Sequence, residues 1–446
     1  ATMDLVNKII GLSGKDDTKD LMRYLGSQEQ RLMKAKEQDL HQLLAHISPA
    51  QHTLGYIRIM HALARESNMK DLNVFTNLAA SLFTEGNPNA LKDEKRNVYK
   101  IAREYTKISV MTNPKSGILP LHSAIQKICR STPNLLTPLH SGYLLLCILS
   151  KCYDTALAHI EVPKYEIEPR KTGMTMKDYL TYHYYAGKIY CVMKEYEEAL
   201  EQFQAVLTAP TEAGLSAVPC ISAVQVEAYK KHLLVSLIRH GKVVTLPKQV
   251  TNLSVMHRCK DVAGAAYENL KSCFKKSIEE LKKKVDGEKE TFVKDENWGL
   301  VKQVVAAVTK QSIQKLNETY ATLSFADIVK LSNLKDEKEA ESRIADMIED
   351  GEISAVISIK DSMVTFLEPA KEDEMELAMK LKAKIQEAFL LSNKLREVDY
   401  KLQTNPLYVK KNMSSRGKDS FDQGYPAAMS EEDQLQRVLE KSKVDQ

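Results

Sequence analysis

The chain has 446 residues, with 63 basic and 59 acidic side chains and a net charge of +4. That near balance argues against a dedicated nucleic-acid binder, which carries a strong basic excess. Hydrophobic residues make up 43% and charged residues 27%, the composition of a folded protein of two or three domains, and no apolar run approaches the ~18 residues of a membrane-spanning helix.

From the N-terminus onward most of the chain reads as helix. Apolar residues recur at three- and four-residue steps, and only 17 Gly and 14 Pro interrupt them. No charged region followed by a long apolar core opens the chain, so no secretory leader is expected. Breakers fall where turns between helices are needed, at Asn113-Pro114, Ser131 to Asn134, Gly241 and Asp286-Gly287. Helix pairs recur. One runs from Tyr143 through a turn at Lys151 to Asp154 and on from Ala156. The clearest spans Tyr184 to Leu207, where Tyr190, Ala199 and Phe203 stand three, twelve and sixteen residues beyond Gly187. This is the small–aromatic–small–aromatic spacing of a tetratricopeptide-type (TPR-like) helix–turn–helix unit. Val224 to Gly241 gives the first helix of a further pair, with Gly241 suited to a left-handed C-cap. Ala156 and Ala199 hold equivalent positions 43 residues apart, longer than the roughly 34 of a strict repeat, so the array is degenerate. One pair cannot bury its apolar face alone; stacked pairs share a core, and a solenoid is expected. The lysine-rich stretch Phe274 to Glu290 alternates with acids and reads as a solvated helix face.

The texture changes after about Val301. A helix is expected over Gln311 to Tyr320, a second N-capped by Ser324, and a third from about Asp336 to Asp350. Ile353, Ala355, Ile357 and Ile359 then alternate with Ser354, Val356 and Ser358, the period of a strand. A turn at Lys360 to Ser362 returns the chain as a second strand over Met363 to Leu367. Three helices followed by a hairpin is the plan of a winged helix. From Lys371 to about Leu402 a long helix carries Leu377, Leu381, Ile385, Ala388, Leu391, Leu395, Val398 and Leu402 on one stripe, at a mean step of about 3.6 residues, with charge on the other faces. The expected fold class is mostly α: a TPR-like helical-repeat solenoid over 1–300, a winged-helix module over 301–368, a C-terminal bundle helix over 371–403, and a disordered tail over 404–446 with a transient helix near Glu431 to Glu440.

No pattern for chemistry stands out. A winged helix that reads DNA places basic or amide side chains on its third helix. Here Asp336, Glu337, Glu339, Glu341, Asp346, Glu349 and Asp350 face only Lys338 and Arg343, a net of five negative charges that repels phosphate. The module reads instead as a protein-interaction block whose hairpin edge another strand can extend. No two of the eleven histidines are one residue apart and no HExxH occurs, so no zinc-hydrolase signature is present. No GxGxxG or GxxxxGK[ST] is present either. His183 beside Tyr184 and Tyr185 reads as groove filling between paired helices. The seven cysteines are dispersed, without CxxC spacing, and read as reduced thiols of the cytosol or nucleus, packed as small hydrophobes. No metal and no cofactor are expected.

A helical repeat capped by a winged helix resembles the PCI family, whose modules build the proteasome lid, the COP-nine signalosome and translation initiation factor three. Four stretches carry a narrower similarity, to the third-subunit family of the COP-nine signalosome: Tyr182 to Pro210, Glu227 to Val243, Asp295 to Gln303 and Met347 to Phe366. It extends from about Leu121 to Tyr408. The resemblance implies a PCI domain over about 197–368 and a non-catalytic scaffold. The complex would remove the ubiquitin-like modifier Nedd from cullin-RING ubiquitin ligases, with the peptidase on another subunit. It implies a cytoplasmic and nuclear location, and no nucleic-acid or membrane partner. The first and eighth subunits would join through the winged helix, and all subunits through a bundle of C-terminal helices. Ser354, Val356 and Ser358 on the hairpin, with the eight stripe residues of the last helix, are the expected partner contacts. A PCI subunit of the proteasome lid is the runner-up. A hydrolase with a dispersed site and a nucleic-acid-binding winged helix are the alternatives of other classes. The chain offers no catalytic motif to match, and its charged tail after Asn412 departs from the family.

Overall fold

The structure is a computed structural model and describes residues 2–13, 18–65, 71–210, 221–247, 253–274, 278–332, 334–367, 374–406 and 408–410. The chain divides into two units, Ala1–Phe366 and Leu367–Gln446.

In the first unit, helices stack largely in chain order. Thr53–Ala64 packs on Lys95–Met111, then Pro138–Leu149, Met176–Val192, Tyr196–Leu207, Ala223–His240 and Trp298–Thr319 follow, each against its predecessor. One continuous core runs through them from Leu5 to Val304. Local signals start these helices. Thr175 and Asp178 form a capping box, with the Asp178 amide donating to Thr175 Oγ1 at 3.3 Å and the Thr175 amide donating to Asp178 Oδ2 at 2.8 Å. Ser222 and Gln225 do the same for the Ala223–His240 helix, which Gly241 ends at φ 65°.

The turns inside the pairs carry a regularity of their own. Lys151, Lys194 and Glu296 adopt left-handed φ values of 57°, 65° and 55°. After each, the next amide reaches five residues back: Cys152 to Cys147, Glu195 to Tyr190 and Asn297 to Phe292, at 2.9, 3.0 and 2.9 Å. These are Schellman closures, built here without the usual glycine. The first two are 43 residues apart, the offset that separates Ala156 from Ala199. Across the second pair a Cβ on Gly187 would lie 2.6 Å from the ring of Phe203, so the helices meet where only a hydrogen fits.

A buried polar network joins the Ala223–His240 helix to Tyr267 and to the turn that opens Trp298–Thr319. Lys230 Nζ donates to Asp295 Oδ2 and Glu227 Oε1, both at 2.8 Å. Tyr267 donates to the same Asp295 oxygen at 2.8 Å, Asn297 Nδ2 to the Tyr267 oxygen at 2.9 Å, and Lys231 Nζ to Asn297 Oδ1 at 2.7 Å. Burial alone would raise the Asp295 carboxyl; the bonds from Lys230 and Tyr267 outweigh it and hold the group below its usual value.

The helix expected over Gln311 to Tyr320 is the end of a longer one, Trp298–Thr319. It carries Val301 and Val304 in the repeat core and Ile313 in the next core, because no breaker follows Gly299 within it. The change of texture near Val301 therefore falls inside a continuous helix. Ser324 caps the helix Phe325–Ser332 by accepting the Asp327 amide at 3.1 Å. The third helix is Glu337–Glu349, and it buries Ala340, Ile344 and Met347. Two strands, β1 (Thr322–Ser324) and β2 (Ala355–Ser358), flank β3 (Met363–Phe366) in an antiparallel sheet of order β1-β3-β2. β1 was not expected, since three residues are too short to show alternation. Ile353 is buried, and Ala355 and Ile357 are half-buried against the same small core. Ile359 departs from the expected alternation: β2 ends at Ser358, and Ile359 is 76% exposed in the turn that Ser362 completes at φ 52°.

Candidate partner interface

β2 pairs with β3 alone among the described residues, in the register Val356 opposite Thr365 and Ile357 opposite Val364. It is therefore an edge strand, with one side of its backbone unused by the sheet. Of the expected contacts here, Val356 is 56% exposed, while Ser358 and Ser354, which precedes the strand, are half-buried. Ser358 Oγ donates to Asp361 Oδ2 at 2.8 Å, which fastens the turn. The acidic face of the Glu337–Glu349 helix belongs to the same module.

The terminal helix runs from Glu374 to Gln403. The expected start at Lys371 and most of the tail, 411–446, lie outside the described residues. Leu377, Leu381, Ile385, Ala388, Leu391, Leu395, Val398 and Leu402 are all exposed, Leu395 at 72%. The expectation of charge on the remaining faces needs correction. Met375, Met379, Phe389, Leu390 and Tyr400 are also exposed and lie off the stripe. Lys384 sits within it and pairs with Glu387 at 3.4 Å. Glu397 takes both Lys394 and Lys401. Apolar side chains thus reach more than one side of this helix. The run Phe389-Leu390-Leu391 carried that signal in the sequence, because three consecutive apolar residues span about 200° of a helix.

Among the described residues no three His, Cys, Asp or Glu side chains gather as a metal site requires. The six described cysteines are free, and burial pushes the thiols of Cys129, Cys147 and Cys259 up to about 11 and that of Cys191 to about 12, far from a thiolate. His183 packs between the rings of Tyr179 and Tyr182, at 4.5 and 5.1 Å, with Nδ1 2.7 Å from Gln202 Oε1.

Two family descriptions match the chain: "COP9 signalosome complex subunit 3, N-terminal helical repeats" over residues 15–254, and the PCI domain over 270–368. A curated relative from Dictyostelium discoideum, COP9 signalosome complex subunit 3, is 32% identical over 411 residues, covering 91% of this chain and 95% of its own. The chain belongs to the COP9 signalosome subunit 3 family. Its Arabidopsis thaliana relative of the same name is 31% identical over 415 residues, covering 91% and 92%. The subunit 3 repeat match displaces the proteasome-lid reading. On the structure, the subunit 3 repeats take in the helix pairs with the shared 43-residue offset, and the PCI match takes in the Trp298–Thr319 helix and the three-stranded sheet. Two of the stretches that carry the resemblance, Glu227 to Val243 and Asp295 to Gln303, meet in the buried network of Lys230, Lys231, Asp295 and Asn297. Among the described residues no helix is long and apolar enough to cross a membrane.

Proposed function

We propose that this protein is a non-catalytic scaffold subunit of the COP9 signalosome, the assembly that removes the Nedd modifier from cullin-RING ligases, and that it works in cytoplasm and nucleus. The observation that carries the reading is the terminal helix. A 30-residue helix with exposed leucines, isoleucine and phenylalanine on more than one side is costly in water at roughly 1.5–3 kcal/mol for each large side chain left unburied. Such a helix is built to be enclosed by partner helices rather than to lie on one surface. The edge strand β2 supports a second contact, by strand addition, through Ser354, Val356 and Ser358. The partners are other signalosome subunits, the first and eighth at the winged helix and the whole set at the terminal helix. The raised thiols of Cys129, Cys147, Cys191 and Cys259 and the packed His183 support a binding role. The test is reconstitution with the other subunits, using a chain with Leu381, Ile385 and Leu395 changed to Asp. Loss of the assembled particle with the repeats still folded is the expected outcome; a particle of full composition refutes the role.

A further inference from the structure

The N-terminal repeats hold a basic groove that neither the edge strand nor the terminal helix explains. It is a cavity of about 830 Å³ between the end of the Thr53–Ala64 helix and one face of Lys95–Met111. Lys100, Arg103, Glu104, Lys107 and Met111 follow one another along that face, over about 16 Å of helix. Arg65 stands opposite. Two of the cations have acidic partners: Arg103 meets Asp178 at 2.6 Å and Lys107 meets Glu104 at 2.6 Å. Among the described residues the Lys100 side chain has no ion pair or hydrogen bond, and the Arg65 guanidinium bonds only Met33 Sδ, at 3.6 Å. The groove thus has positive charge to spare.

His61 is the second and independent observation. It lines the groove, is 2% exposed, and neither ring nitrogen has a hydrogen-bond partner. Burial and then the neighbouring Lys100 hold it neutral, with its pKa lowered to about 4. The other charges that face it are Glu29, Arg65 and Arg58. Glu29 and Glu94 are engaged by Arg58, at 3.4 and 3.0 Å, and among the described residues no carboxylate bonds the imidazole. A neutral imidazole keeps one N–H to donate, and leaving it unmade costs about 1–3 kcal/mol.

We propose that this groove docks an acidic segment of another polypeptide, whose carboxylates pair with Lys100 and Arg65 and accept the N–H of His61. The groove is elongated, and about 16 Å accommodates an extended segment of about five residues, whereas a single small anion would leave most of it empty. Met111, exposed at its end, offers an apolar anchor for the same chain. The site is independent of the assembly reading above.

The test uses the full-length protein with a fluorescein-labelled oligoglutamate peptide, read by anisotropy, with oligoglutamine and oligolysine as controls. Binding is expected for oligoglutamate alone and falls with added salt. Arg65→Glu with Lys100→Glu should weaken it about tenfold or more, with an unchanged circular dichroism spectrum. Reversal of an exposed lysine elsewhere, Lys283→Glu, should leave it intact. The His61 ring resonances should move on titration with the peptide, assigned by their loss in His61→Gln. Unchanged affinity in the double variant, equal loss in Lys283→Glu, or unmoved His61 resonances overturns the proposal. So does binding of inorganic pyrophosphate without binding of the peptide.

Discussion

At the scale of single residues, close contact and buried charge set what can change. Gly187 has no room for a Cβ against Phe203, so Gly187→Val should force the helices apart and destabilise the fold by about 1–3 kcal/mol. Thermal melts with the wild type as reference check this. Asp295 anchors Lys230 and Tyr267, and the Lys230 side chain is 9% exposed. Asp295→Ala leaves that ammonium with Glu227 alone and should cost about 3 kcal/mol, measured by urea denaturation. Acid acts in the same direction. Burial lowers the pKa of His61 and His232 to about 4 and of His140 to about 3, from 6.5. The unfolded chain takes up these protons first. Stability should therefore be complete above about pH 6.5 and be lost progressively as pH falls toward about 4. Denaturation midpoints that stay flat between about pH 7 and pH 5 would contradict this. The Gly187–Phe203 contact was legible in the sequence as a spacing. The left-handed Lys151, Lys194 and Glu296 were not, because lysine and glutamate carry no local sign of a positive φ and only the packed turn imposes it.

At the scale of elements, the terminal helix and β2 carry the predictions. Leu381, Ile385 and Leu395 changed together to Asp should leave the melting of the first unit unchanged while removing the chain from the particle, as sedimentation would show. Ala355→Pro in β2 removes a backbone N–H on the strand's open side, since Phe366 opposite it bonds Ala321 instead, and should weaken one subunit contact selectively. Pairwise pull-downs with each neighbour read this out, and equal binding by every neighbour would refute edge pairing there. Period alone exposed both elements in the sequence. It missed β1, which is too short to alternate, and it joined Ile359 to a strand that ends one residue earlier. It also cut Trp298–Thr319 short, since a helix shared by two cores shows two different apolar faces along its length. On the terminal helix the stripe was legible. The apolar residues off the stripe surface in the sequence only as the run Phe389-Leu390-Leu391, which has no helical period.

At the scale of the molecule, the scaffold reading predicts what travels with the protein. Gentle purification from native cells should recover a particle of several subunits containing an isopeptidase and other PCI proteins, identified by mass. Recovery of a lone chain would refute it. What the sequence by itself determined is the helical class, the degenerate repeat, the winged-helix order and the family. Each rests on local periodicity or on long matched stretches, which need no knowledge of distant contacts. Only the tertiary structure decided which charges are buried and which are spare. Nothing local in the sequence marks what Lys230 and Lys231 pair with, yet folding brings Asp295 and Asn297 to them from more than sixty residues away. Lys100 and Arg65 look no different in the sequence, and the same folding leaves them beside an unpartnered His61. Charge is local, but its compensation depends on which helices meet, and that is settled only when the chain packs.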